Sequence, residues 1–562
     1  MVFPMEKEWD IAPIIPENIQ EELNGYSNIL QQLLFNRGIT SEEAISQFFL
    51  LQKNNYDPFL FLQMKQAVDR IIRAIDAHEK IAVYGDYDVD GISATALLTQ
   101  VLQAYGSDVV PYIPDRFDEG YGVNTKALDS LLEQGVKLVI TVDCGIRSPL
   151  ELAYASKKGM GIIVTDHHEP GEILPEVVAI VCQHLPGDLY PDKFLCGAGL
   201  AYKVAQALLM TRPISGTEAA QWLDLAALGT VADVVPLIGE NRFIVHEGLK
   251  LMRMGKRVGL TALIKCAGLR MDSLAASDIS FGIAPRLNAA GRLKSPRMAL
   301  NILLSDDLYN AGMLAQELDD LNRERQHLTR DIQLKAEEQL QDFDEYLLFA
   351  VDEAFNSGVV GLVAAKLTEF YYRPSIIGFR GDVNTRASCR SIPEFHIIQA
   401  LDQCNDLLLQ HGGHAMAAGF TVANENVPEL MERLVHLSRV ALENKVIQPK
   451  LRADMEIPLK SIPATILKDL LRLEPIGAAN PEAMFVSRNV NVKQAHAVGK
   501  DKNHLKLIVQ DGAITYDAIG FHLGYWMKAM PSKIDLLYSI SENNFNGNRY
   551  TQLNVKDLKS SN

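Results

Sequence analysis

Acidic residues and histidines follow apolar runs at four places in this chain, and together they could do metal chemistry. The apolar runs are residues 81–83, 138–142, 161–164 and 225–231. The polar residues that follow them are the acids of GDYDVDG (residues 85–91), Asp143, Asp166-His167-His168 and Asp233. We interpret the runs as buried strands, the last of which could begin as helix. The carboxyl ends of parallel strands converge on one crevice. Carboxylates gathered there repel one another unless cations lie between them, and a pair of divalent ions favours phosphoester hydrolysis.

The heptapeptide GDYDVDG places Asp86, Asp88 and Asp90 two residues apart, directly before Gly91. The same spacing opens a calcium-binding EF-hand loop, which needs a bidentate acid at its twelfth position. That position holds Leu97, and a strand rather than a helix precedes the loop, so we exclude the EF-hand. A solvated acidic turn stays open as an alternative for this motif alone. Three acids at a strand end that lead into a helix favour metal ligation.

The tripeptide Asp166-His167-His168 is a weaker signal, because two histidines after a strand could equally form a capping turn. Imidazole suits Mn²⁺ or Zn²⁺, and carboxylate suits Mg²⁺ or Mn²⁺, so a mixed site predicts Mn²⁺ or Mg²⁺ with Mn²⁺ preferred. Adjacent histidines can divide the work, one binding metal and the other reaching the scissile phosphate. Asp143 and Asp233, taken singly, would more often be helix caps than ligands. Asp143 and Asp233 support a metal site only in combination with the other acids and histidines that follow the apolar runs.

Length and composition indicate a multidomain globular protein. At 562 residues we expect two to four domains, and 48% apolar with 22% charged residues is ordinary for such a protein. The six cysteines are scattered without a C-x-x-C pair, which favours buried thiols over a zinc ribbon or disulfides. We find no basic region followed by an apolar run at the start, and no apolar stretch near the ~20 residues that span a bilayer. We therefore expect a cytoplasmic protein that does not enter a membrane.

The charge is unevenly distributed along the chain. A formal net charge of −16 argues against general adhesion to nucleic acid. From Lys450 to the end, however, 15 Lys and Arg residues outnumber 11 Asp and Glu residues. A basic module attached to an acidic body is compatible with local binding of a polyanion.

The order of strand-like and helical runs predicts the architecture. Alternation from residue 81 to about 186 indicates a parallel sheet, and residues 195–305 look mostly helical. A long polar helix is predicted at 306–342. A second α/β unit follows, with predicted strands at 346–351, 374–379, 385–392 and 414–422 and helices at 358–371, 397–410 and 427–442. Short strands beyond residue 450 predict a small barrel, at 490–497, 504–510, 514–521, 534–539 and 550–555.

Seven motifs occur in an order that resembles the single-strand-specific exonucleases of the DHH phosphoesterase family. They are IAVYGDYDVDGISAT (81–95), PDR (114–116), VDCGI (142–146), TDHH (165–168), GTVADVVPL (229–237), APRLNAAGR (284–292) and GGHAMAAGF (412–420). The resemblance covers residue 30 onwards and implies an α/β fold class with a C-terminal all-β OB-fold. The domains expected are an N-terminal helical segment (1–75), a parallel-sheet DHH domain (76–305), a long connecting helix (306–342), a second α/β, DHH-associated substrate-binding domain (343–448) and the OB-fold (449–562).

The resemblance also implies roles for individual residues. Two metal ions would be held by Asp88, Asp90, Asp143, His167 and Asp233. His168 would act at the phosphate beside them, and Asp86 would support the cluster, so both count as catalytic. The 5′-terminal phosphate would be bound by Ser388, Arg390 and Arg292, with Arg116, Arg286, Asn288 and His414 nearby. Arginine suits this task because its planar fork pairs with two phosphate oxygens, although any one of these arginines could instead form a surface ion pair.

Two departures from the family pattern and the C-terminal module need separate mention. Phe355-Asn356 stands where relatives usually have Trp-His, which puts a substrate contact there in doubt, and Gln183-His184 replaces the usual Asn-Pro and is expected to alter only a turn. An OB-fold binds single strands through a basic groove and stacked aromatics. The candidates are Arg488, Lys493, Lys500, Lys502, Lys506, Tyr516 and Phe521. Each aromatic alone is better explained as barrel core.

The implied function is a metal-dependent 5′→3′ exonuclease that degrades single-stranded DNA to mononucleotides in DNA repair and recombination. Single-stranded DNA is the expected partner, with a single-strand-binding protein and a helicase as candidate protein partners, and the chain is expected to be a monomer. The alternatives are a DHH phosphodiesterase acting on short oligonucleotides or cyclic dinucleotides, a replication scaffold without catalysis, and a pure single-strand binder. The intact set of acids and histidines speaks against the last two.

Overall fold

The computed structural model describes residues 6–115, 122–340, 345–545 and 548–561. The chain divides into two compact units. The larger unit is formed by Ile11–Asp319 and Arg452–Asn562, and the smaller unit by Asp320–Leu451 with the residues up to Asp10. Among the described residues, no helix combines the length and apolar character needed to cross a membrane.

The larger unit contains a five-stranded parallel sheet with helices around it. Strand β1 (Glu8–Ile11) crosses the boundary between the units at Asp10, and the first helices of the larger unit are α1 (Glu17–Glu22), α2 (Asn28–Phe35), α3 (Glu42–Phe49) and α4 (Met64–Asp76). The sheet and its helices are β2 (Lys80–Gly85), α5 (Val89–Ala104), β3 (Val109–Tyr112), α6 (Thr125–Glu133), β4 (Val136–Val142), α7 (Pro149–Lys157), β5 (Gly161–Thr165), β6 (Ala179–Val181), α8 (Gly197–Thr211) and α9 (Leu223–Ala232). The strand order is β3-β2-β4-β5-β6, and every pairing is parallel, as predicted.

One of the four predicted strands is wrong. The run 225–231 lies inside helix α9, and Asp233 follows as the residue that caps its C-terminus. The run is rich in alanine and leucine and is buried on all sides, from Leu223 through Val231. A short continuous apolar run cannot be assigned to strand or helix by periodicity alone, which is why the sequence misled us here.

Helices continue the larger unit beyond Asp233. They are α10 (Gly239–Arg253), α11 (Val258–Cys266), α12 (Ala276–Asp278), α13 (Ala284–Leu293) and α14 (Arg297–Leu304). Helix α15 (Leu308–Gln339) follows, and the boundary between the units falls within it, after Asp319. A π-helical turn, Ile279–Ile283, directly precedes α13. The long helix predicted at 306–342 is confirmed as α15.

The smaller unit is the second α/β layer that the sequence predicts. Its elements are β7 (Leu348–Asp352), α16 (Val360–Tyr371), β8 (Ser375–Arg380), β9 (Asn384–Arg390), α17 (Ile397–Asp402), β10 (Leu408–Gly413), β11 (Ala417–Ala423) and α18 (Val427–Leu442). The sheet order is β10-β11-β9-β8-β7. The helix predicted at 397–410 is wrong in its second half, because Leu408–Gly413 forms the edge strand β10. Three leucines in a row at 407–409 carry no period that separates helix from strand.

The C-terminal part of the larger unit is a closed barrel. Strand β12 (Lys450–Ala453) precedes it and pairs with β1 in a separate two-stranded sheet. The elements that follow are β13 (Met455–Glu456), α19 (Ile466–Leu471), β14 (Phe485–Val498), β15 (His504–Asp511), β16 (Ile514–Gly520), β17 (Lys533–Phe545) and β18 (Asn548–Ser560). Pairing of β14 with both β15 and β17 closes the barrel. Leu30 and Leu33 of α2 share one buried core with the barrel residues Phe485 and Tyr538, so the N-terminal helices pack on the barrel.

Candidate metal centre

The register of the parallel sheet brings three acidic segments side by side. Gly85 lies opposite Val142, and Val142 lies opposite Thr165. The residues that follow each of these, Asp86, Asp143 and Asp166, therefore leave the same edge of the sheet. All three are buried. The prediction that the strand ends gather carboxylates in one place is confirmed.

Histidine His167 lies at the centre of the cluster. Its Nε2 is 3.1 Å from Asp143 Oδ1, 3.7 Å from Asp233 Oδ2 and 3.9 Å from Asp90 Oδ2. Burial lowers the pKa of His167 although Asp90 acts in the opposite direction. A neutral imidazole cannot balance three carboxylates, so the charge that would stabilise them has to come from elsewhere.

The donor atoms of the cluster fit divalent cations. Three groups of residues each offer ligand atoms within 4.8 Å of one another: Asp143 with His167 and His168, Asp90 with His167 and Asp233, and Asp86 with Asp88 and Asp143. Within the described part of the chain, Asp86 Oδ1 and Asp143 Oδ1 are buried and accept no hydrogen bond. The close approach of Asp143 Oδ1 to His167 lacks hydrogen-bond geometry. Buried carboxylate oxygens without partners are costly, and a cation removes that cost.

Burial and mutual repulsion raise the pKa of three of these acids, Asp86, Asp143 and Asp233, in the absence of a cation. Burial, followed by the charge of the nearest aspartate, raises the pKa of Asp86 to about 8 and that of Asp233 to about 8. The pKa of Asp143 is raised well above its usual value by burial and by the nearby Asp90 and Asp88. An acid with a raised pKa gains from a neighbouring positive charge, since that charge favours the ionised form. The electrostatics thus match the donor geometry.

Asp88 and Asp90 also hold the surrounding helices. Asp88 caps α5, its Oδ1 accepting hydrogen bonds from the backbone N–H groups of Asp90 and Gly91 at 2.9 and 3.2 Å. The carboxylate of Asp90 accepts from the N–H groups of Gly197 and Ala198 at the start of α8, at 2.6 and 2.9 Å. Helix N-termini stabilise negative charge, so these bonds fix the direction of both carboxylates.

Backbone strain marks the two single acids. Asp143 has a φ of +61° and Val234, the residue after Asp233, has a φ of +60°. Residues other than glycine rarely adopt this backbone conformation, and a β-branched residue such as valine does so least readily. Strained backbone tends to cluster at active sites and ligand clamps. The two strained turns aim Asp143 and Asp233 toward His167.

Asp166 is a positioning residue to which the sequence analysis gave no role. Its Oδ1 lies 2.7 Å from His168 Nδ1 and accepts the His168 backbone N–H at 3.1 Å, while its Oδ2 accepts from Ile146 N at 2.9 Å. Burial opposes ionisation of Asp166, but the hydrogen bonds and charge of His168 together with the hydrogen bond from Ile146 N lower its pKa overall. The same contact raises the pKa of His168 against the effect of burial. The adjacency of an acid and a histidine could have suggested this pairing.

Replacement of Asp166 with asparagine should lower kcat without removing the metal. We expect a loss of roughly 10- to 100-fold, typical of residues that orient a functional histidine, with Mn²⁺ binding retained in calorimetry. Asp129→Asn is the matched control, because Asp129 also accepts hydrogen bonds but from Tyr154 and Lys158 at the surface. An unchanged kcat, or a Mn²⁺ affinity that falls as far as kcat, would contradict the positioning role.

Helix α13, which carries the APRLNAAGR motif, packs against the acidic loop. A Cβ added to Gly291 would lie 3.2 Å from the carbonyl oxygen of Tyr87, so the helix approaches the loop closely there. Asn288 and Arg292 on α13 are half-buried. Arg286 is already engaged, because its guanidinium binds the buried Asp319 and the Gly282 carbonyl. Arg116 lies outside the described residues, and its role stays a prediction.

In the smaller unit, Ser388 and Arg390 lie beside the start of α16. A Cβ added to Gly361 would be 3.4 Å from Ser388 Oγ and 3.5 Å from an Arg390 side-chain nitrogen. His414 is exposed in the turn between β10 and β11, where its N–H binds the Ala417 carbonyl, and Ala417 pairs with Arg390. A hydroxyl, a guanidinium and a helix N-terminus together suit a phosphate.

The two departures from the family pattern are structural in this chain. Phe355 is buried, and Asn356 accepts a hydrogen bond from Gly358 N at the turn into α16. Gln183 is buried and donates to the Leu195 carbonyl at 2.8 Å, just before α8 begins. His184 pairs with Glu169 at the surface.

The barrel candidates separate into two groups. Arg488 is engaged with Glu456 and Asp535, and Tyr516 packs partly buried against the barrel core. Phe521 is 61% exposed. Lys493, Lys500, Lys502 and Lys506 are also exposed.

Comparisons with known proteins agree with this geometry. The model of the DHH family N-terminal domain matches residues 80–230, that of the DHHA1 domain matches 344–438, and that of the RecJ OB domain matches 453–557. The single-stranded-DNA-specific exonuclease RecJ of Bacillus subtilis (strain 168) is 38% identical over 549 residues, which cover 96% of this chain and 69% of that protein.

Solved structures match as well. The crystal structure of RecJ from Thermus thermophilus in complex with Mn²⁺ has a TM-score of 0.84 at 30% identity, covering 99% of this chain and 80% of that one. The Mg²⁺ complex from the same organism has a TM-score of 0.78 at 27% identity, covering 99% and 79%. Mn²⁺ and Mg²⁺ are therefore the cations that the acid-histidine cluster fits.

The parallel sheet with acids and histidines at its carboxyl edge defines a metal-dependent phosphoesterase of the DHH class. Within that class, the second α/β layer matches the DHHA1 domain and the closed C-terminal barrel matches the RecJ OB domain. The chain belongs to the RecJ family of single-stranded-DNA-specific exonucleases.

Proposed function

We propose that this chain removes mononucleotides from the 5′ end of single-stranded DNA by metal-dependent hydrolysis. The observation that carries the proposal is the convergence of Asp90, Asp143 and Asp233 on His167, with buried carboxylate oxygens that have no partner in the described residues. The ligands we assign are Asp88, Asp90, Asp143, His167 and Asp233, with Asp86 supporting them. When bound, two divalent ions supply a water of lowered pKa and stabilise charge on the phosphate oxygens.

The residues of the chain supply orientation and proton control. The Nδ1 of His168 is bound to Asp166, so contact with the scissile phosphate or its leaving oxygen would be made by Nε2. The raised pKa of His168 suits a group that meets a negatively charged phosphate. Asn288 and Arg292 of α13 lie on the helix that packs against the acidic loop and would hold the phosphate backbone there.

Ser388 and Arg390 would recognise the 5′-terminal phosphate, with His414 at the same edge of the smaller unit. Arg390 is half-buried, and burial lowers its pKa, so the guanidinium gains from an anionic partner. The start of α16 adds backbone N–H groups to the same place. Selection of a phosphorylated end would set the polarity of digestion.

Arg390→Ala should therefore reduce the preference for a phosphorylated 5′ end. The loss of a charge-assisted hydrogen bond, worth about 1.5–3 kcal/mol, corresponds to roughly 10- to 150-fold in kcat/KM. A strand with a 5′ hydroxyl should be affected far less. Arg433→Ala is the matched control, since Arg433 pairs with Asp406 on the surface of the same unit. An equal effect on both strands would rule out recognition of the end.

The direct test of the function is digestion of a 5′-labelled single strand, a 3′-labelled single strand and the corresponding duplex. Each is incubated with Mn²⁺, Mg²⁺ or EDTA. We expect labelled mononucleotide to be released first from the 5′-labelled strand, the duplex to resist, and EDTA to stop the reaction. Release from the 3′ end, or rapid digestion of the duplex, would overturn the proposal.

The wider role follows from the substrate. We propose that the protein acts in DNA repair and recombination in the cytoplasm, as a monomer, on strands that a helicase exposes and a single-strand-binding protein covers. The exposed lysines and Phe521 of the barrel support a grip on the single strand. Sedimentation of the purified chain tests the monomer directly.

A further inference from the structure

A strongly exposed aromatic residue precedes the α13 motif. Phe281 is 83% exposed on the π-helical turn Ile279–Ile283. Its neighbours Ile279 and Ile283 are fully buried. π-helical turns are rare and occur frequently at functional sites. A large aromatic ring held in water at such a turn loses the stabilisation that burial would provide.

The turn that presents Phe281 is firmly anchored on its opposite side. A Cβ added to Gly282 would lie 2.8 Å from the Leu269 side chain, so Gly282 faces the interior of the protein. The Gly282 carbonyl accepts a hydrogen bond from Arg286, which is itself paired with Asp319. Phe281 is therefore displayed by a rigid support.

Phe281 continues a stripe that leads to the metal centre. Phe281, Pro285, Asn288 and Arg292 are spaced by four, three and four residues, the spacing of one helix face. All four are exposed or half-buried, whereas the residues between them are largely buried. The Arg292 end of this stripe adjoins Gly291, which packs on the acidic loop. Phe281 lies eleven residues before Arg292, at the other end of the stripe.

We propose that Phe281 is a stacking platform for a base of the DNA strand, on the 3′ side of the bond that is cut. The placement on the 3′ side rests on the proposed function. An exonuclease that releases mononucleotides from the 5′ end has only one nucleotide on the 5′ side of the scissile bond, so the rest of the strand lies on the 3′ side. From Phe281 to Asn288 is seven residues, or roughly 10 Å of helix, which is about three stacked nucleotides at ~3.4 Å each. The contacted base is thus near the fourth position from the 5′ end.

Stacking on an exposed ring suits an enzyme that digests any sequence. Every base has an aromatic face, so the contact is indifferent to which base arrives. The ring would hold the strand between successive cuts while Asn288 and Arg292 hold its phosphates. Loss of the ring should therefore shorten the run of nucleotides removed in each encounter.

The test uses the full chain and strands that carry one 2-aminopurine at the second to eighth position from the 5′ end. Binding is measured in EDTA, where no hydrolysis occurs. The wild type should quench the fluorescence most strongly near the fourth position, and Phe281→Ala should remove that maximum and weaken binding of a 12-nucleotide strand roughly 5- to 150-fold. Phe281→Trp should retain both. Phe281→Leu, which is apolar but not aromatic, should behave as the alanine variant does.

Two controls separate the platform from other causes. Tyr309→Ala removes another exposed aromatic ring (75% exposed) outside the stripe and should bind as the wild type does. Hydrolysis of a dinucleotide, which is too short to reach Phe281, should be unchanged in Phe281→Ala, whereas fewer nucleotides are released per encounter with a long strand. A flat quenching profile in the wild type, or full binding by Phe281→Leu, would overturn the platform. Because the binding assay needs no hydrolysis, a wrong polarity of digestion would show in the labelled-strand assay and leave this result readable.

Discussion

Asp143→Ala is expected to lower the rate of strand cleavage by roughly 10³-fold or more, equal to about 4 kcal/mol of barrier, while DNA binding stays measurable. Asp143 contributes to two of the three ligand groups and lies closest to His167, so its loss removes a donor from both parts of the cluster. Cleavage of a 5′-labelled strand in Mn²⁺ gives the rate, and fluorescence anisotropy of the same strand gives the binding.

Asp143→Asn keeps the size of the side chain and removes only the charge. Burial raises the pKa of Asp143, so at neutral pH the metal-free chain must take up a proton at this acid on folding, which lowers the stability of the fold. We expect the asparagine variant to melt no lower than the wild type in EDTA, and to gain less thermal stability from added Mn²⁺. Retained turnover in either variant would contradict the metal assignment.

Gly229→Ala should weaken Mn²⁺ binding at least 10-fold, although Gly229 is not one of the proposed metal ligands. A Cβ at Gly229 would lie 2.4 Å from Asp90 Oδ1 and 2.5 Å from the Ala198 Cβ, so Asp90 or α8 must move. Overpacking costs about 1–3 kcal/mol. Alanine in a helix recovers up to about 1 kcal/mol relative to glycine. The fold should therefore survive with modest destabilisation while the carboxylate is displaced.

Gly312→Ala is the matched control, since Gly312 also lies within a helix and an added Cβ would meet nothing within 4 Å. It should keep Mn²⁺ affinity and gain stability. Calorimetric titration with Mn²⁺ and chemical unfolding measure the two effects separately. Equal Mn²⁺ affinity in Gly229→Ala and the wild type would show that Asp90 does not need its present position to bind metal.

The acids at the ends of β2, β4 and β5 could be placed from the sequence because each follows a clear strand. The alternation of strands and helices was enough to predict that Asp86, Asp143 and His167 lie at one edge of a parallel sheet. The prediction that Asp233 joins the cluster was right although the run before it is a helix, because the residue at the end of a buried helix can reach the same crevice.

Other features depend on contacts that no local pattern reports. The hydrogen bonds that Gly197 and Ala198 donate to Asp90 join residues more than a hundred positions apart. The capture of Arg286 by Asp319 likewise depends on the path of α15. The strand β10 was missed because three leucines fit a helix and an edge strand equally well.

Asp166 shows a different limit. The sequence placed it in the cluster, but residue type and spacing could not tell a ligand from a residue that orients one. The hydrogen bond between His168 Nδ1 and Asp166 Oδ1 separates the two roles.

The most direct measurement is X-ray diffraction from crystals soaked in Mn²⁺, with anomalous data collected at the manganese absorption edge. Paired cations neutralising the gathered acids predict two anomalous peaks, each contacted by carboxylates of the cluster and one of them by His167. A cluster without anomalous peaks, or peaks only elsewhere on the surface, would contradict the claim that two cations neutralise these acids.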